Sequence, residues 1–323
     1  MTTLLLLMSL SAAPAAPLHE VKLDPAGGRV VMDYLGYDAG KDRVWAPGGN
    51  TGMVFVVDAA TGLVHAVRGF AARERNGHLL GPSSVTFGPV AAYVGNRADG
   101  SVCAVDRATL ERGPCLTLPE SPDGLAYVEA TREVWATTPR SSSLTLISTA
   151  NGELRLAGRI ELPGAPEGYA VDGDGHFYTN LEDKDRTLAV DVRARRVLRS
   201  WAAQCGADGP RGLSLVPGRP LLVVACTDAV QTFAIDKDAP TRLDRLETGA
   251  GVDNIDVGPG PEVLAAAGKA ERLVRASILP DGKLRETARV PSSKGARVVV
   301  VTAKGVGYAA DSAQGRLLVL APP

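Results

Sequence analysis

Short apolar runs alternate with turns rich in Gly, Asn and Asp along most of the chain. Runs this short, bounded by turn residues, are typical of β-strands. One arrangement recurs, as MVFVVDAATGLVHAV and SVCAVDRATLERGPC illustrate: an apolar strand, a turn and a further strand. The position that ends the first of these strands recurs at Asp58, Asp106, Ser148, Asp191, Asp236, Leu279 and Ala321.

These positions are separated by 48, 42, 43, 45, 43 and 42 residues. Two earlier strands precede each of them, for example SSVTFG followed by VAAYVG, so every unit consists of four short strands. A period of about 43 residues with four strands is the pattern of a propeller blade. The sequence therefore predicts an all-β fold, a seven-bladed β-propeller with four-stranded antiparallel blades.

The seventh unit, which ends in GRLLVLAPP, lacks its fourth strand. Residues 19–23 can supply it from the N-terminal side, which would close the ring and remove an exposed sheet edge. A (β/α)₈ barrel would need a helix after every strand, and only Asp185 to Gln204 could form one. That segment aligns with hairpins in the other units and is therefore expected to form strands, which argues against the barrel. Two stacked β-sandwiches remain as the alternative to the propeller.

Composition and charge exclude several fold classes and bear on the kind of binding partner. The chain has 36 Gly and 22 Pro among 323 residues and is 45% hydrophobic, which excludes a helical bundle, a coiled coil and a disordered chain. Lys and Arg number 35 against 36 Asp and Glu. Proteins that bind nucleic acid usually have an excess of positive charge on the binding surface. Because basic and acidic residues balance here, a nucleic acid is not the expected partner. We expect no membrane span, a monomer, and a protein or small molecule as the partner.

The N-terminal sequence MTTLLLLMSLSAAPAAP has an apolar run followed by small residues, as an export signal does. We predict a signal peptide over residues 1–15 and one propeller domain over 16–323, located in the periplasm or outside the cell. The four cysteines fit an oxidising compartment. Cys103 and Cys115 flank a turn symmetrically and are expected to pair, which leaves Cys205 and Cys226 as the second pair; free, buried thiols are the alternative.

Two segments carry a resemblance to a known family. AAYVGNRADGSVCAVDRATLERG and HFYTNLEDKDRTLAVDVRARRVLRSW are similar to the repeat of the YVTN-type (YncE-like) propellers. This resemblance implies a seven-bladed propeller and, for many members, a secreted bacterial protein. It implies no particular activity.

Seven equivalent positions lie where the chain enters the first strand of each unit, and in a propeller such positions surround the central channel. They are Asp33, Ser83, Asp123, Glu167, Arg211, Asp253 and Arg297. The loops between second and third strands add Asn50, Asn96, Arg97, Arg140 and Asn180 to the same face. We predict that the charged entry residues and Asn180 form a ligand site, although mutual neutralisation around a hydrated channel would explain the same charges.

A divalent cation such as calcium is the second possibility, since it prefers carboxylate and amide oxygens. Glu167, Asn180 and Asn254 are the candidate ligands, and the chain here faintly resembles the gluconolactonase and regucalcin propellers. That resemblance implies lactone hydrolysis, with Asp123 or Asp253 as the base. The primary hypothesis is an exported, non-enzymatic binding propeller that requires no cofactor, and the alternative is a metal-dependent lactone hydrolase.

Overall fold

Seven four-stranded antiparallel sheets are arranged around a central channel in a computed structural model, which describes residues 18–24, 27–236 and 239–322. The predicted signal peptide over residues 1–15 lies outside the described residues. The seven-bladed propeller predicted from the repeat is confirmed. Within each of the first six blades the strands follow one another in chain order from the channel outward.

The first strand in the described part of the chain is β1 (His19–Lys22). Blade 1 contains β2 (Gly36–Asp38), β3 (Arg43–Gly48), β4 (Met53–Asp58) and β5 (Val64–Val67). A separate hairpin, β6 (Arg73–Arg75) and β7 (His78–Leu80), precedes blade 2. Blade 2 contains β8 (Pro82–Phe87), β9 (Ala91–Asn96), β10 (Ser101–Asp106) and β11 (Arg112–Thr117).

Blade 3 contains β12 (Leu125–Val128), β13 (Glu133–Thr138), β14 (Ser143–Ser148) and β15 (Arg155–Glu161), with short 3₁₀ turns at Pro139–Ser141 and Ala150–Gly152. Blade 4 contains β16 (Pro166–Val171), β17 (His176–Leu181), β18 (Arg186–Asp191) and β19 (Arg196–Ala202). The segment Asp185 to Gln204, the one candidate for a helix, therefore forms two strands, as the repeat predicted.

Blade 5 contains β20 (Pro210–Leu215), β21 (Leu221–Cys226), β22 (Ala229–Ala234) and β23 (Thr241–Glu247). Blade 6 contains β24 (Ile255–Val257), β25 (Glu262–Ala267), β26 (Arg272–Ile278) and β27 (Leu284–Pro291). Blade 7 contains β28 (Val299–Val301), β29 (Gly307–Asp311) and β30 (Arg316–Leu320), and β1 is its outer strand.

Strand β1 closes the ring, as the missing fourth strand of the seventh unit predicted. It pairs antiparallel with β30, and His19 lies opposite Val319 while Lys22 lies opposite Arg316. Arg316 also contacts Glu20 at 2.5 Å and Asp311 at 2.7 Å. The first and last described strands are thereby joined in one sheet, and the edge of β30 is paired.

The core lies between the blades, because the second and third strands of each blade are buried on both faces. The six residues of β13 and the six of β21 are all buried, whereas β11 is largely exposed. Large side chains fill the gaps between neighbouring sheets, and the ring centroids of Trp135 and Phe177 lie 5.2 Å apart between blades 3 and 4. This packing fixes where the inner strands begin and so positions the channel residues.

Both predicted disulfides are present. Cys103 and Cys115 lie directly opposite each other on β10 and β11. Cys205, in the segment that enters blade 5, is bonded to Cys226 at the end of β21. None of the four cysteines is free.

Candidate functional site

The entry positions and the loops between second and third strands lie on one face of the propeller, here called the top face. Side chains from several blades meet there in a connected group, here called the channel network. Its members are Asp33, Tyr34, Arg97, Asp123, Glu167, Asp253 and Arg297. Five of the seven are entry residues that the sequence indicated, while Arg97 was indicated as a loop residue and Tyr34 was missed.

Two arginines join the carboxylates of the network. Arg297 contacts Asp33 at 2.9 Å and Asp253 at 3.2 Å. Arg97 contacts both Asp33 and Asp123. Because each guanidinium bridges two carboxylates, three of the acids that the sequence placed around the channel are paired with positive charge.

Tyr34 connects this ion-paired part to Glu167. Its hydroxyl lies 3.3 Å from Asp123 Oδ2 and 3.4 Å from Glu167 Oε1. A hydroxyl has one proton and can donate to only one of the two oxygens at a time. If Glu167 carries a proton, it can donate to the Tyr34 oxygen while Tyr34 donates to Asp123. Burial raises the pKa of Tyr34 well above its ordinary value, so the hydroxyl stays protonated.

Glu167 is the carboxylic acid of the network that forms no ion pair with an arginine among the described residues. Burial raises its pKa to about 8, and the negative charges of Asp253, Asp33 and Glu182 act in the same direction, while Arg97 opposes them. The pKa of Asp253 is raised to about 6, chiefly by burial, although Arg297 lowers it. Near neutral pH, therefore, Glu167 is largely protonated and Asp253 is largely ionised.

The other predicted site residues have structural partners. Arg211 forms an ion pair with Glu182, and its Nη2 donates to the Asp208 carbonyl at 3.2 Å. Ser83 Oγ lies 3.5 Å from the Asp123 carbonyl. These contacts hold adjacent top-face segments together, and they leave Arg211 outside the channel network.

Asn180 joins neighbouring blades. It is fully buried, and its Nδ2 donates to the carbonyls of Arg211 at 2.6 Å and Gly212 at 3.3 Å. Its Oδ1 accepts a hydrogen bond of 2.7 Å from Thr187. Both polar atoms are therefore bonded to protein, and this amide does not fit the role of a cation ligand.

Asn254 also makes a local contact, since its Oδ1 accepts from the backbone of Ile255 at 2.9 Å. The Oδ1 atoms of Asn180 and Asn254 thus each already accept a hydrogen bond within the protein, which does not favour them as calcium ligands. Within residues 18–24, 27–236 and 239–322, no three His, Cys, Asp or Glu side chains are grouped so that they could hold a metal ion.

Asn50 and Asn96 have the same type of role as Asn180. Asn50 donates to the Arg29 carbonyl at 2.8 Å and accepts from the Val31 amide at 2.7 Å. Asn96 donates to the Ala71 carbonyl at 3.0 Å. Asparagines at the ends of second strands thus bind the backbone of the segments that build the top face.

A cavity of about 730 Å³ lies above the channel network. Arg97, Asp123, Glu167 and Arg297 line it from the channel side. The β6–β7 hairpin forms one wall, and the residues Asn76 and Gly77 at its tip have φ values of 52° and 75°. Positive φ at both central residues is what a two-residue hairpin turn of type I′ requires.

The sequence contained two signals for this hairpin. The first spacing of the repeat, 48 residues, exceeds the others by at least three, which indicates an insertion near residues 68–81. Asn76-Gly77 is also the strongest short signal for a hairpin turn. Neither signal was connected with the site, because nothing in the sequence shows that an inserted hairpin lies over the channel.

No helix in the described part of the chain is long and apolar enough to cross a membrane.

Comparison of the sequence with protein families and with curated proteins finds no match. Many solved structures share the fold. Virginiamycin B lyase from Staphylococcus aureus has a TM-score of 0.74 and 13% identity, with 95% of this chain and 99% of that chain covered. The RRP9 WD40 repeats have a TM-score of 0.76 and 10% identity over 96% and 99%. A chain of the mitotic checkpoint complex has a TM-score of 0.75 and 14% identity over 99% of both chains. Identities this low show a common fold and nothing more.

Proposed function

We propose that this protein is an exported binding propeller that takes a small ligand in the top-face cavity above the channel network. The observation that carries the proposal is the cavity itself, about 730 Å³ in volume and lined by groups from several blades. That volume falls within the range of about 300 to 1,000 Å³ that is common for small-molecule sites.

The position and chemistry of the cavity favour a ligand site over a simple gap between loops. Its lining includes Glu167, whose pKa is raised to about 8, and the two bridging arginines Arg97 and Arg297. Perturbed ionisable groups that converge on one concave surface are typical of functional sites. The β6–β7 hairpin encloses one side of the cavity. Enclosed, concave sites are typical of small ligands, whereas protein interfaces are usually more open, so the hairpin favours a small ligand.

Export is part of the proposal. Two disulfides support it, since such bonds persist in oxidising compartments and are rare in the cytosol. The resemblance of two repeats to the YVTN-type propellers also favours a secreted protein. We propose a cleaved signal over residues 1–15 and a monomeric domain over residues 16–323.

The metal-dependent lactone hydrolase receives no support from the contacts of its candidate ligands. Asn180 uses both amide atoms in hydrogen bonds within the protein, and Asn254 Oδ1 accepts from a backbone amide. Asp123, one of the two candidate bases, is in contact with Arg97 and so is engaged in an ion pair within the channel network. The binding function is therefore the one that we propose.

A substitution that fills the cavity with a large side chain tests the proposal. Ser121 lines the cavity and has no hydrogen bond from its hydroxyl among the described residues, so Ser121→Trp should fill space without breaking a contact. Ala194→Trp, in an exposed turn between β18 and β19, is the matched control. A thermal-shift screen of small metabolites, followed by calorimetry, should find ligands that bind the wild type and the control but not the plugged variant. If every ligand found binds Ser121→Trp as well as it binds the wild type, the cavity is not the site.

A further inference from the structure

Four arginines that line the cavity form no ion pair with any residue in the described part of the chain. Arg29, Arg73, Arg75 and Arg140 all line it, and none of their guanidinium groups has a hydrogen bond or ion pair within the ranges that the structure covers. They are exposed and are here called the rim arginines. Elsewhere in the chain many arginines do have carboxylate partners, for example Arg107 with Asp38.

Three separate elements bring the rim arginines to the same cavity. Arg29 precedes blade 1, and Arg140 lies in the 3₁₀ turn between β13 and β14. Arg73 and Arg75 are two residues apart on β6, so they point to the same side of the hairpin. Positive charges that converge without counter-charges repel one another, and an anion that binds between them relieves this repulsion.

The carboxylates of the cavity do not neutralise the rim. Asp123 is in contact with Arg97, and Glu182 forms an ion pair with Arg211. Glu167 is largely protonated near neutral pH, because burial and the neighbouring carboxylates raise its pKa to about 8. Arg97 and Arg297 also line the cavity, so its lining has six arginines against three carboxyl groups. The cavity thus combines a positive rim with a floor whose acids are already paired or protonated.

We propose that the ligand of the top-face cavity is a small anion with at least two acidic groups, carboxylate or phosphate, which the rim arginines bind. This inference rests on the proposed function and adds the chemical class of the ligand. Guanidinium groups suit both kinds of acid, because their parallel N–H donors match two oxygens of a carboxylate or a phosphate. A ligand with two acidic groups can engage arginines that come from separate elements of the cavity lining.

A small anion fits these observations better than a nucleic acid does. The described cavity lining contains no Phe, Tyr or Trp on which a base could stack, and stacking supplies much of the affinity for single strands. The chain as a whole has a net charge of -1, whereas nucleic-acid binding usually relies on a basic surface. The rim arginines surround a cavity of about 730 Å³. A cavity of this volume holds a small ligand of a few dozen atoms at most.

Calorimetry with defined probes tests the inference. Citrate and pyrophosphate represent the carboxylate and phosphate classes, trehalose is a neutral probe, spermidine a cationic one, and a thymidine oligonucleotide represents nucleic acid. The variants are Arg75→Gln and Arg140→Gln, which remove one charge each from two walls. Arg285→Gln, at an exposed position on the outer strand of blade 6, is the control.

We expect citrate or pyrophosphate to bind the wild type with one site per chain. Each rim variant should weaken that binding about tenfold, since each removes a charge-assisted hydrogen bond, whereas the control should change it less than about twofold. An increase of NaCl from about 20 mM to about 200 mM should weaken binding further, because salt screens exposed charges. Which of the two anions binds more tightly identifies the acidic group.

Several results would overturn the inference, and they are separable from failure of the proposed function. Binding of trehalose or spermidine that Ser121→Trp abolishes, with no binding of either anion, would leave a ligand cavity but exclude an anionic ligand. Anion binding that Arg75→Gln and Arg140→Gln leave unchanged would place the anion elsewhere. Tighter binding of the oligonucleotide than of both small anions would replace the proposed class with nucleic acid. If no probe binds, the anion inference fails, and the metabolite screen alone decides on the cavity.

Discussion

Glu167→Gln should change the way in which stability depends on pH. In the folded protein the pKa of Glu167 is about 8, against an ordinary value of 4.5, because burial and the charges of Asp253, Asp33 and Glu182 outweigh the opposing charge of Arg97. Below about pH 4.5 the residue is protonated in both the folded and the unfolded chain, and its ionisation has no effect on stability. Between about pH 4.5 and pH 8 the unfolded chain releases a proton that the folded chain retains, so the free energy of unfolding falls as the pH rises.

The size of the effect follows from the two pKa values. A pKa of about 8 instead of 4.5 corresponds to about 5 kcal/mol between the protonation states. At about pH 5 the unfolded chain has already released part of this proton, so about 4 kcal/mol of the difference falls between about pH 5 and pH 9. Glutamine has the shape of the protonated acid and cannot ionise, so the variant should lack this contribution. The free energy of unfolding of Glu167→Gln minus that of the wild type should therefore be about 4 kcal/mol larger at about pH 9 than at about pH 5.

Urea denaturation measures the difference. The three tryptophans report unfolding by fluorescence, and equal m-values for both proteins would show that the same surface is exposed. Glu129→Gln makes the same chemical change at an exposed position in the turn between β12 and β13 and should leave the pH dependence of the wild type unaltered. If the wild type and Glu167→Gln lose the same stability between about pH 5 and pH 9, Glu167 is not the buried acid described here.

Three further outcomes follow from the contacts. Arg97→Gln leaves Asp33 and Asp123 without their shared cation and should lower the free energy of unfolding by about 2 to 3 kcal/mol in urea denaturation; no measurable loss would contradict the role given to that bridge. Added Ca²⁺ should shift the midpoint of thermal unfolding by less than about 1 °C, and a saturable shift that Glu167→Gln removes would restore the hydrolase hypothesis. A chain that lacks residues 1–23 loses β1 and exposes the edge of β30, so it should form oligomers in size-exclusion chromatography with light scattering, and a stable monomer would refute the closure argument.

Much of the fold followed from the sequence. The spacing of strand-terminal residues such as Asp58 and Asp106 gave the number of blades, and the missing strand of the seventh unit predicted its replacement by residues 19–23. The symmetric turn between Cys103 and Cys115 predicted that disulfide. These inferences succeeded because strand period, turn chemistry and repeat length are local properties that are written in consecutive residues.

The candidate site was only partly predictable. The entry positions were found, since the propeller brings equivalent residues of each blade to one channel, but their partners were not. Asn180 was expected to face a ligand and instead bonds to the carbonyls of Arg211 and Gly212. Tyr34 was missed, because an aromatic residue beside an inner strand looks like any core residue until its hydroxyl is seen between Asp123 and Glu167.

The sequence by itself determined seven blades, the element that closes the ring and the face on which charges converge, and it indicated the disulfide pairs that the structure contains. Only the tertiary structure decided which charges neutralise one another, that Glu167 holds a proton, and that the β6–β7 hairpin carries two arginines to the cavity. The physical reason is distance. Backbone conformation depends on neighbouring residues, whereas an ionisable group responds to burial and to charges within a few ångströms, and these come from blades far apart in the chain.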